Sequence, residues 1–462
     1  MKGRPGAQAA SQYNRMTEGS IPALVARLSV PTILSMLVTN IYNLVDTAFV
    51  GRLGTSPSAA VGIIFGFMSI LQAVGFMFGQ GAGSMTARLL GARDVRHASR
   101  IASTGIACSF LLGLIISLVS FPLSSRIIGL LGSTDTMFPY AKSYLNIILI
   151  AAPFMTGGYT LNNLLRYEGK ASLGMIGLLS GAILNIALDP VLMFTFGMGV
   201  AGAALATAVS QILSFLILLS MFLRGRTVTH LSLKSADFHP ETVFNIMTTG
   251  FPSLLRQVLN SLASIILNSL SAAYGDAAVA AMSIVGRISF FVFALALGIG
   301  QGFQPVCAYN YGAGKYMRLR KAFRVTVIMS EAVLIVAAVF TLIFSGNLIA
   351  VFRDDPEVIR IGTRALRLQM ATILFMPFGM CTEMLFQSTG HRLGASFLSS
   401  ARSGLFFIPA LLILAPLRGL AGIQEAQPLA YLLAFPMALF FMLHFMQRLP
   451  KTDRTPPDAR DS

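Results

Sequence analysis

Long apolar runs recur along this chain, and they constrain its fold more than any other feature. Of the 462 residues 55% are hydrophobic and 11% are charged, a composition too apolar for a soluble globular protein. A membrane-spanning helix needs about 20 apolar residues. Because the runs are continuous and not alternating, they predict an all-α polytopic membrane protein and exclude a transmembrane barrel. Twelve runs are found, at 25–50, 59–87, 100–123, 137–164, 172–197, 200–223, 242–273, 278–309, 322–346, 358–388, 394–416 and 425–447.

The net charge of +16 could indicate a nucleic-acid partner, but the positions of the basic residues favour another explanation. With the N-terminus inside, most Lys and Arg residues outside the spans fall on the cytoplasmic side. Both termini are therefore predicted to be cytoplasmic, with the basic segments near lipid headgroups, and nucleic-acid binding is not expected. The first 19 residues are polar and precede a long apolar run, so no cleavable signal is predicted. The three cysteines lie far apart in apolar stretches, which indicates free thiols.

An internal repeat appears when the chain is shifted by 221 residues. Pro31 aligns with Pro252, and the Gly79–Gly81 segment, Gly-Gln-Gly, aligns with Gly300–Gly302. The repeating unit is six helices, and because six is even, both copies enter the membrane from the same side. This predicts two six-helix bundles related by a pseudo-twofold axis along the membrane normal. The predicted segments are a cytoplasmic N-terminal tail (1–20), a first lobe of helices 1–6 (21–223), a cytoplasmic linker (224–241), a second lobe of helices 7–12 (242–448) and a cytoplasmic C-terminal tail (449–462).

Ionisable and amide residues inside the predicted spans concentrate in the first half. Asp46 shares a helix face with Tyr42 and Asn43, and Asn185 lies one turn before Asp189. Asn162 and Thr207 lie on two further helices of the same half. An ionisable residue inside a membrane is costly and is a candidate site, although amides and hydroxyls also hold helices together. The two carboxylates could bind a small hard cation or could share a proton.

The second half does not repeat this acidic pattern. At the fixed offset Leu267 stands opposite Asp46, and Ala410 stands opposite Asp189. Glu383 is the candidate in this half for contact with a cationic substrate. Alternatively, the charges within these spans pair with one another as a structural network; they are Arg256, Arg287, Glu331, Glu383 and Arg402.

Several motifs carry a resemblance to a known family. They are Asn43-Leu-Val-Asp46-Thr-x-x-Val-Gly51, Gln80-Gly81 and Asn185-x3-Asp189-Pro190, together with Pro31 in the first helix. With two repeats of six helices, the chain resembles the multidrug and toxic compound extrusion (MATE) family over most of its length. It is more similar to the bacterial DinF-like or MepA-like type than to the NorM type.

This resemblance implies an antiporter that exports organic cations and other amphipathic drugs in exchange for Na⁺ or H⁺. Carried over by position, the coupling site, with a possible Na⁺, is formed by Asp46, Asn185, Asp189 and Thr207, with Asn162 nearby. Tyr42, Asn43 and Glu383 are substrate-cavity candidates, and Pro31 is the expected hinge of helix 1. The expected partners are small cationic or amphipathic drugs and membrane lipids, with no cofactor beyond the coupling ion. A monomer in the bacterial inner membrane is expected.

Two other function classes were compared with this hypothesis. A flippase for a lipid-linked saccharide could use a related pair of bundles, although it usually needs a larger basic cavity, and it stays as the alternative. A membrane-embedded enzyme is disfavoured because the sequence has no His-Glu-x-x-His motif, no phosphate-binding loop and no cluster of His or Cys within the spans. We therefore do not expect an enzyme.

Overall fold

Helices account for almost all of the regular structure in the computed structural model, which describes residues 5–454. No strand occurs in that part of the chain. The α-helices are α1 (Pro5–Glu18), α2 (Ile21–Gly51), α3 (Thr55–Gly91), α4 (Val95–Ser120), α5 (Ser124–Leu130), α6 (Phe138–Tyr167), α7 (Ala171–Pro190), α8 (Gly199–Leu223), α9 (Pro240–Ala272), α10 (Asp276–Gly312), α11 (Tyr316–Ile343), α12 (Ser345–Phe352), α13 (Pro356–Thr372), α14 (Met376–Thr389), α15 (Arg392–Ser400), α16 (Phe407–Arg418) and α17 (Leu420–Arg448).

Within residues 5–454, eleven helical segments are long and apolar enough to cross a membrane. Three of them combine shorter elements: α7 continues into a π-turn (Val191–Thr195), α13 joins α14, and α15 joins α16 through a second π-turn (Ala401–Leu405). The twelfth predicted span is α9, which is long enough at 33 residues but less apolar. Its sequence includes Glu241, Arg256 and many Ser, Thr and Asn residues, which lower its hydropathy.

The described chain divides into two compact units. Unit 1 contains Leu34–Leu89 and Asp94–Leu254, and unit 2 contains Tyr13–Ile33 and Leu255 onward, with Leu90–Arg93. The divisions within α2 and α9 therefore fall at Ile33 and Leu254, which are 221 residues apart. Each division lies two residues after a proline, Pro31 or Pro252. The lobe bounds predicted above remain a prediction.

Close packing of α3 against α9 in unit 1 depends on two glycines. A Cβ atom at Gly81 would collide with the backbone carbonyl of Ile246, and one at Gly250 would collide with that of Met77. Only glycine lets the two backbones approach this closely. The first part of α9, from the second half of the sequence, is thereby packed within unit 1.

Unit 2 contains the equivalent packing of α10 against the first part of α2. A Cβ at Gly302 would collide with Ser29, and one at Gly298 would collide with Ile33. Gly302 is the repeat partner of Gly81. The second glycine of the repeated Gly-Gln-Gly segment thus serves the same kind of helix contact in each unit.

The polar linker between the two halves is held at its start by a buried carboxylate. The Glu168 carboxylate accepts hydrogen bonds from the backbone N–H groups of Val228 and Thr229, at 2.9 and 3.1 Å, and from the Thr229 hydroxyl. Burial raises the pKa of Glu168, although these donors and Lys170 oppose the shift. Since Val228 and Thr229 are themselves buried, the linker begins as a docked segment.

The rest of the linker docks on the first three turns of α4. Backbone N–H groups of the linker donate to the hydroxyls of Ser99, Ser103 and Thr104, at distances of 2.8–3.1 Å. Arg100 and Asp237 form an ion pair at 3.3 Å. The two linker histidines, His230 and His239, are exposed, in agreement with their polar surroundings in the sequence.

Candidate coupling site

Three helices bring together, within unit 1, acidic and polar residues that the sequence singled out. Asp46 lies in the second half of α2, Asn185 and Asp189 lie at the end of α7, and Thr207 lies in α8. All four side chains are buried, and Asp189 is completely inaccessible. The carboxyl groups of Asp46 and Asp189 lie within hydrogen-bonding distance of each other. We refer to these four residues as the acidic cluster.

Asn185 links the members of the acidic cluster. Its Nδ2 donates to Asp189 Oδ1 at 3.4 Å and to Thr207 Oγ1 at 3.3 Å. This leaves three buried oxygens without a hydrogen-bond donor: Asp46 Oδ1, Asn185 Oδ1 and Asp189 Oδ2. Buried polar atoms without a partner are rare and costly, so these oxygens need a cation or a proton to compensate them.

The end of α7 frees backbone groups next to the acidic cluster. Pro190 follows Asp189 and has no N–H, and the chain then enters the π-turn Val191–Thr195, which closes with a bond from Phe196 N to Val191 O at 2.9 Å. Such single π-turns inside helices occur frequently at functional sites.

Tyrosines surround the acidic cluster. The hydroxyl of Tyr42 meets the side chain of Gln211, and Tyr159 lies beside it. Tyr144 is completely buried, and its hydroxyl lies near Thr207 without forming a hydrogen bond of normal geometry. Tyr144 and Tyr159 were not identified from the sequence. They could have been identified as tyrosines within apolar runs, because a buried tyrosine hydroxyl usually requires a hydrogen-bond partner.

Other predicted residues lie elsewhere. The Asn162 amide packs on Gly174, at the opposite end of α7 from Asp189 and about 22 Å along the helix axis. Asn43 is half-buried on α2, where its backbone carbonyl accepts a bond from Thr47. Pro31 lies in the part of α2 that belongs to unit 2.

Glu383 forms a second buried group of charges, in unit 2. It pairs with Arg256 of α9, and the two side chains are only 7% and 10% exposed. Arg402, in the π-turn Ala401–Leu405, lies near both of them. We refer to Arg256, Glu383 and Arg402 as the mixed cluster. Arg287 is exposed and Glu331 is partly exposed, so these two charges differ in burial from the mixed cluster.

A model of the MatE family matches this chain over residues 31–191 and 252–413, well over half of its length. The chain belongs to the MatE family. The two matched segments begin 221 residues apart, as the internal repeat does. The resemblance to MATE transporters stated from the sequence motifs is therefore confirmed.

Two relatives of this MatE protein are multidrug export proteins named MepA. The one from Staphylococcus aureus (strain NCTC 8325 / PS 47) is 32% identical over 399 residues, covering 86% of this chain and 87% of the relative. The one from Staphylococcus haemolyticus (strain JCSC1435) is 29% identical over 433 residues, covering 94% and 95%. The similarity thus extends across both halves of the chain.

The structure of this MatE protein is similar to that of solved transporters. One, described as the outward-facing conformation of a multidrug resistance MATE family transporter of the MOP superfamily, has a TM-score of 0.90 and 26% identity, covering 95% of this chain and 98% of the other. The predicted fold class, an all-α polytopic membrane protein, is confirmed. The chain is a multi-pass membrane protein of a family of multidrug export transporters.

Proposed function

We propose that this protein is a secondary active antiporter that exports cationic or amphipathic drugs in exchange for Na⁺ or H⁺. The observation that carries the proposal is the set of three buried oxygens without a donor in the acidic cluster. Carboxylate, amide and hydroxyl oxygens suit a small hard cation, and a carboxyl pair within hydrogen-bonding distance can equally hold one proton. The names of the MepA relatives support drugs as the exported substrate.

The acidic cluster suggests how an ion would be coupled to a change in structure. Asp46 and Asp189 lie on different helices, α2 and α7, so without a cation or proton between them their charges repel. A bound ion would favour the arrangement in which the two helices are close, and Pro31 would let α2 bend. An ion that prefers one arrangement shifts the equilibrium towards it, and a drug that prefers the other is then released.

We place the protein in the bacterial plasma membrane with both termini in the cytoplasm, as the distribution of Lys and Arg predicts. Tyr42 and Asn43 share the helix face of Asp46, which makes them candidates for contact with the drug.

The test is efflux of a fluorescent cation from proteoliposomes, with a Na⁺ gradient and a pH gradient imposed separately. We expect one gradient to drive efflux in the wild-type protein, and Asp46→Asn and Asp189→Asn each to lose it. Asp94→Asn is the matched control, because Asp94 is the partly exposed N-cap of α4 and asparagine also caps helices well.

Full ion-driven efflux in the Asp46→Asn variant would exclude the coupling role of the acidic cluster. The same assay addresses the flippase alternative, since a protein that moves only a lipid-linked saccharide would not exchange the dye for either ion. The gradient that drives efflux also identifies the coupling ion.

A further inference from the structure

The mixed cluster carries one more positive charge than negative. Glu383 is already paired with Arg256, and both side chains are nearly inaccessible. Arg402 adds a second guanidinium close to the same carboxylate. Among the ion pairs of residues 5–454, none includes Arg402. A charge held inside a protein normally has a partner of opposite sign, so the excess charge of Arg402 requires an explanation.

The contacts of Arg402 hold its side chain without neutralising it. Its NH1 donates to the sulfur of Met376 at 3.1 Å, and its guanidinium carbon lies 4.3 Å from the centre of the Phe293 ring. Tyr431 is a further close neighbour. A thioether is a weak acceptor and a ring face gives only a modest attraction, whereas a guanidinium carries five N–H donors in a planar fork.

A small cavity lies against these donors. It encloses about 30 Å³ and is lined by Arg402, Glu383 and Tyr431 among apolar side chains that include Met380 and Leu398. That volume holds about two water molecules, which is also roughly the size of a carboxylate group or a small inorganic anion. Arg402 provides both the charge and the planar donor geometry that fit a carboxylate.

From these contacts we infer that the cavity beside Arg402 is a subsite for a small singly charged anionic group. The group is either a free anion or the carboxylate of an exported zwitterionic drug. A cationic group fits this place less well, because it would have to displace Arg256 from Glu383. The drug-carboxylate form of the inference rests on the proposed export function, whereas the free-anion form does not.

The first test is anion binding to the purified full-length protein in detergent. Sodium formate is the probe, sodium gluconate is the control for ionic strength, and the thermal unfolding midpoint is the readout. We expect formate to raise the midpoint of the wild-type protein more than gluconate does, because a ligand of the folded state stabilises it. Arg402→Gln should lose this difference.

Arg287→Gln is the matched control, since Arg287 is an exposed arginine in the same half of the chain, and it should respond as the wild type does. If Arg402→Gln does not fold, Arg402→Lys takes its place, because lysine keeps the charge but lacks the planar fork and should bind formate more weakly. An equal response to formate and gluconate in the wild type, or a formate effect that Arg402→Gln retains, would overturn the subsite.

The second test separates the two sources of the anion. Rhodamine B carries a free carboxylate, and its ethyl ester is a cation of nearly the same shape. We expect Arg402→Gln to lower efflux of rhodamine B by about tenfold relative to the ester, the loss expected for one charge-assisted interaction. If formate binding requires Arg402 but both dyes are exported as by the wild type, the subsite takes a free anion. If the wild type exports neither dye under either gradient, the export proposal fails while the formate assay still decides the subsite.

Discussion

The acidic cluster of unit 1 and the mixed cluster of unit 2 both contain buried charges, but these charges are balanced differently. Asp46 and Asp189 lie beside one another, and no ion pair found in residues 5–454 includes either of them. In the mixed cluster the single carboxylate, that of Glu383, is paired with Arg256, and Arg402 leaves an excess of one positive charge. The comparison teaches that a repeated helical framework can hold opposite charge in its two copies.

The repeat offset locates where this difference arises. Leu267 and Ala410 stand opposite Asp46 and Asp189, while Gly181 stands opposite Arg402. A Cβ at Gly181 would lie 3.0 Å from Ser214 Cβ, so the first copy uses this position for close helix packing. The second copy has a π-turn there, and this turn carries Arg402.

The largest effect on stability should come from breaking the ion pair in unit 2. Glu383→Ala leaves the buried Arg256 and the half-buried Arg402 without a carboxylate, which should lower the free energy of unfolding by about 3–5 kcal/mol. Thermal unfolding in detergent measures the change. The double variant Arg256→Met with Glu383→Met should recover most of it, because methionine fills similar space without charge. If Glu383→Ala is as stable as the wild type, the pair has no structural role.

The same kind of change in unit 1 should have the opposite sign. Asp189→Asn removes one of two neighbouring carboxylates, which relieves their repulsion. We therefore expect the free energy of unfolding to be unchanged or to rise by about 1–2 kcal/mol, while ion-driven efflux is lost. Thermal unfolding and efflux are measured on one preparation. A variant that is both inactive and strongly destabilised would mean that the acidic cluster is structural, and the contrast between the units would then be lost.

A smaller effect is expected from the residue that links the acidic cluster. Asn185→Ala removes the hydrogen bonds from Asn185 to Asp189 and Thr207. Because these bonds are long, at 3.4 and 3.3 Å, their loss should lower the free energy of unfolding by only about 1 kcal/mol. The concentration of the coupling ion needed for half-maximal efflux should also rise. Asn268→Ala, at an exposed asparagine of α9, is the matched control and should change neither quantity. An unchanged ion requirement in Asn185→Ala would remove Asn185 from the site.

The smallest effect concerns an aspartate outside the membrane. The Thr242 hydroxyl and the His239 N–H donate to Asp237, and with nearby Arg100 they lower the pKa of Asp237. Its contribution to stability is therefore present above about pH 4 and is lost as the pH falls below that value. Asp237→Asn should lower the unfolding midpoint slightly at pH 6. Between pH 4 and pH 3 the unfolding midpoint of this variant should fall by less than that of the wild type. Asp135→Asn, in an exposed loop, is the comparison variant, and an identical acid profile in Asp237→Asn would contradict the assignment.

The spans were predicted to within a few residues where apolar runs were bounded by polar segments. The run at 200–223, for example, corresponds to Gly199–Leu223. The helix that corresponds to the run predicted at 322–346 begins earlier, at Tyr316. Hydropathy did not identify its first turns because they are basic. The N-terminal helix α1 was not predicted as a helix, since it is polar and docks on protein: its Met16 is fully buried, and Asn310 donates to the Met16 carbonyl at 3.1 Å.

The acidic cluster could be predicted in part. Asn185 and Asp189 share a helix face because of their spacing, and this follows from helix geometry alone. Their contact with Asp46 and Thr207 depends on the packing of three helices, which residue spacing does not reveal. Asn162 shows the limit of such reasoning, since the same residue type in the same half packs on Gly174 far along α7.

The sequence by itself determined that this chain spans a membrane, that its helices form two repeats, and that the acidic residues belong to the first repeat. These features depend on hydropathy, helix period and a fixed offset, which are local properties of a sequence. Only the tertiary structure decided which charges meet: Glu383 with Arg256, Arg402 with a small cavity, and Asp46 with Asp189. The reason is that the electrostatic environment of a buried charge is set by groups distant in sequence, and an arginine that closes an ion pair has the same residue type as one that leaves a charge unmatched.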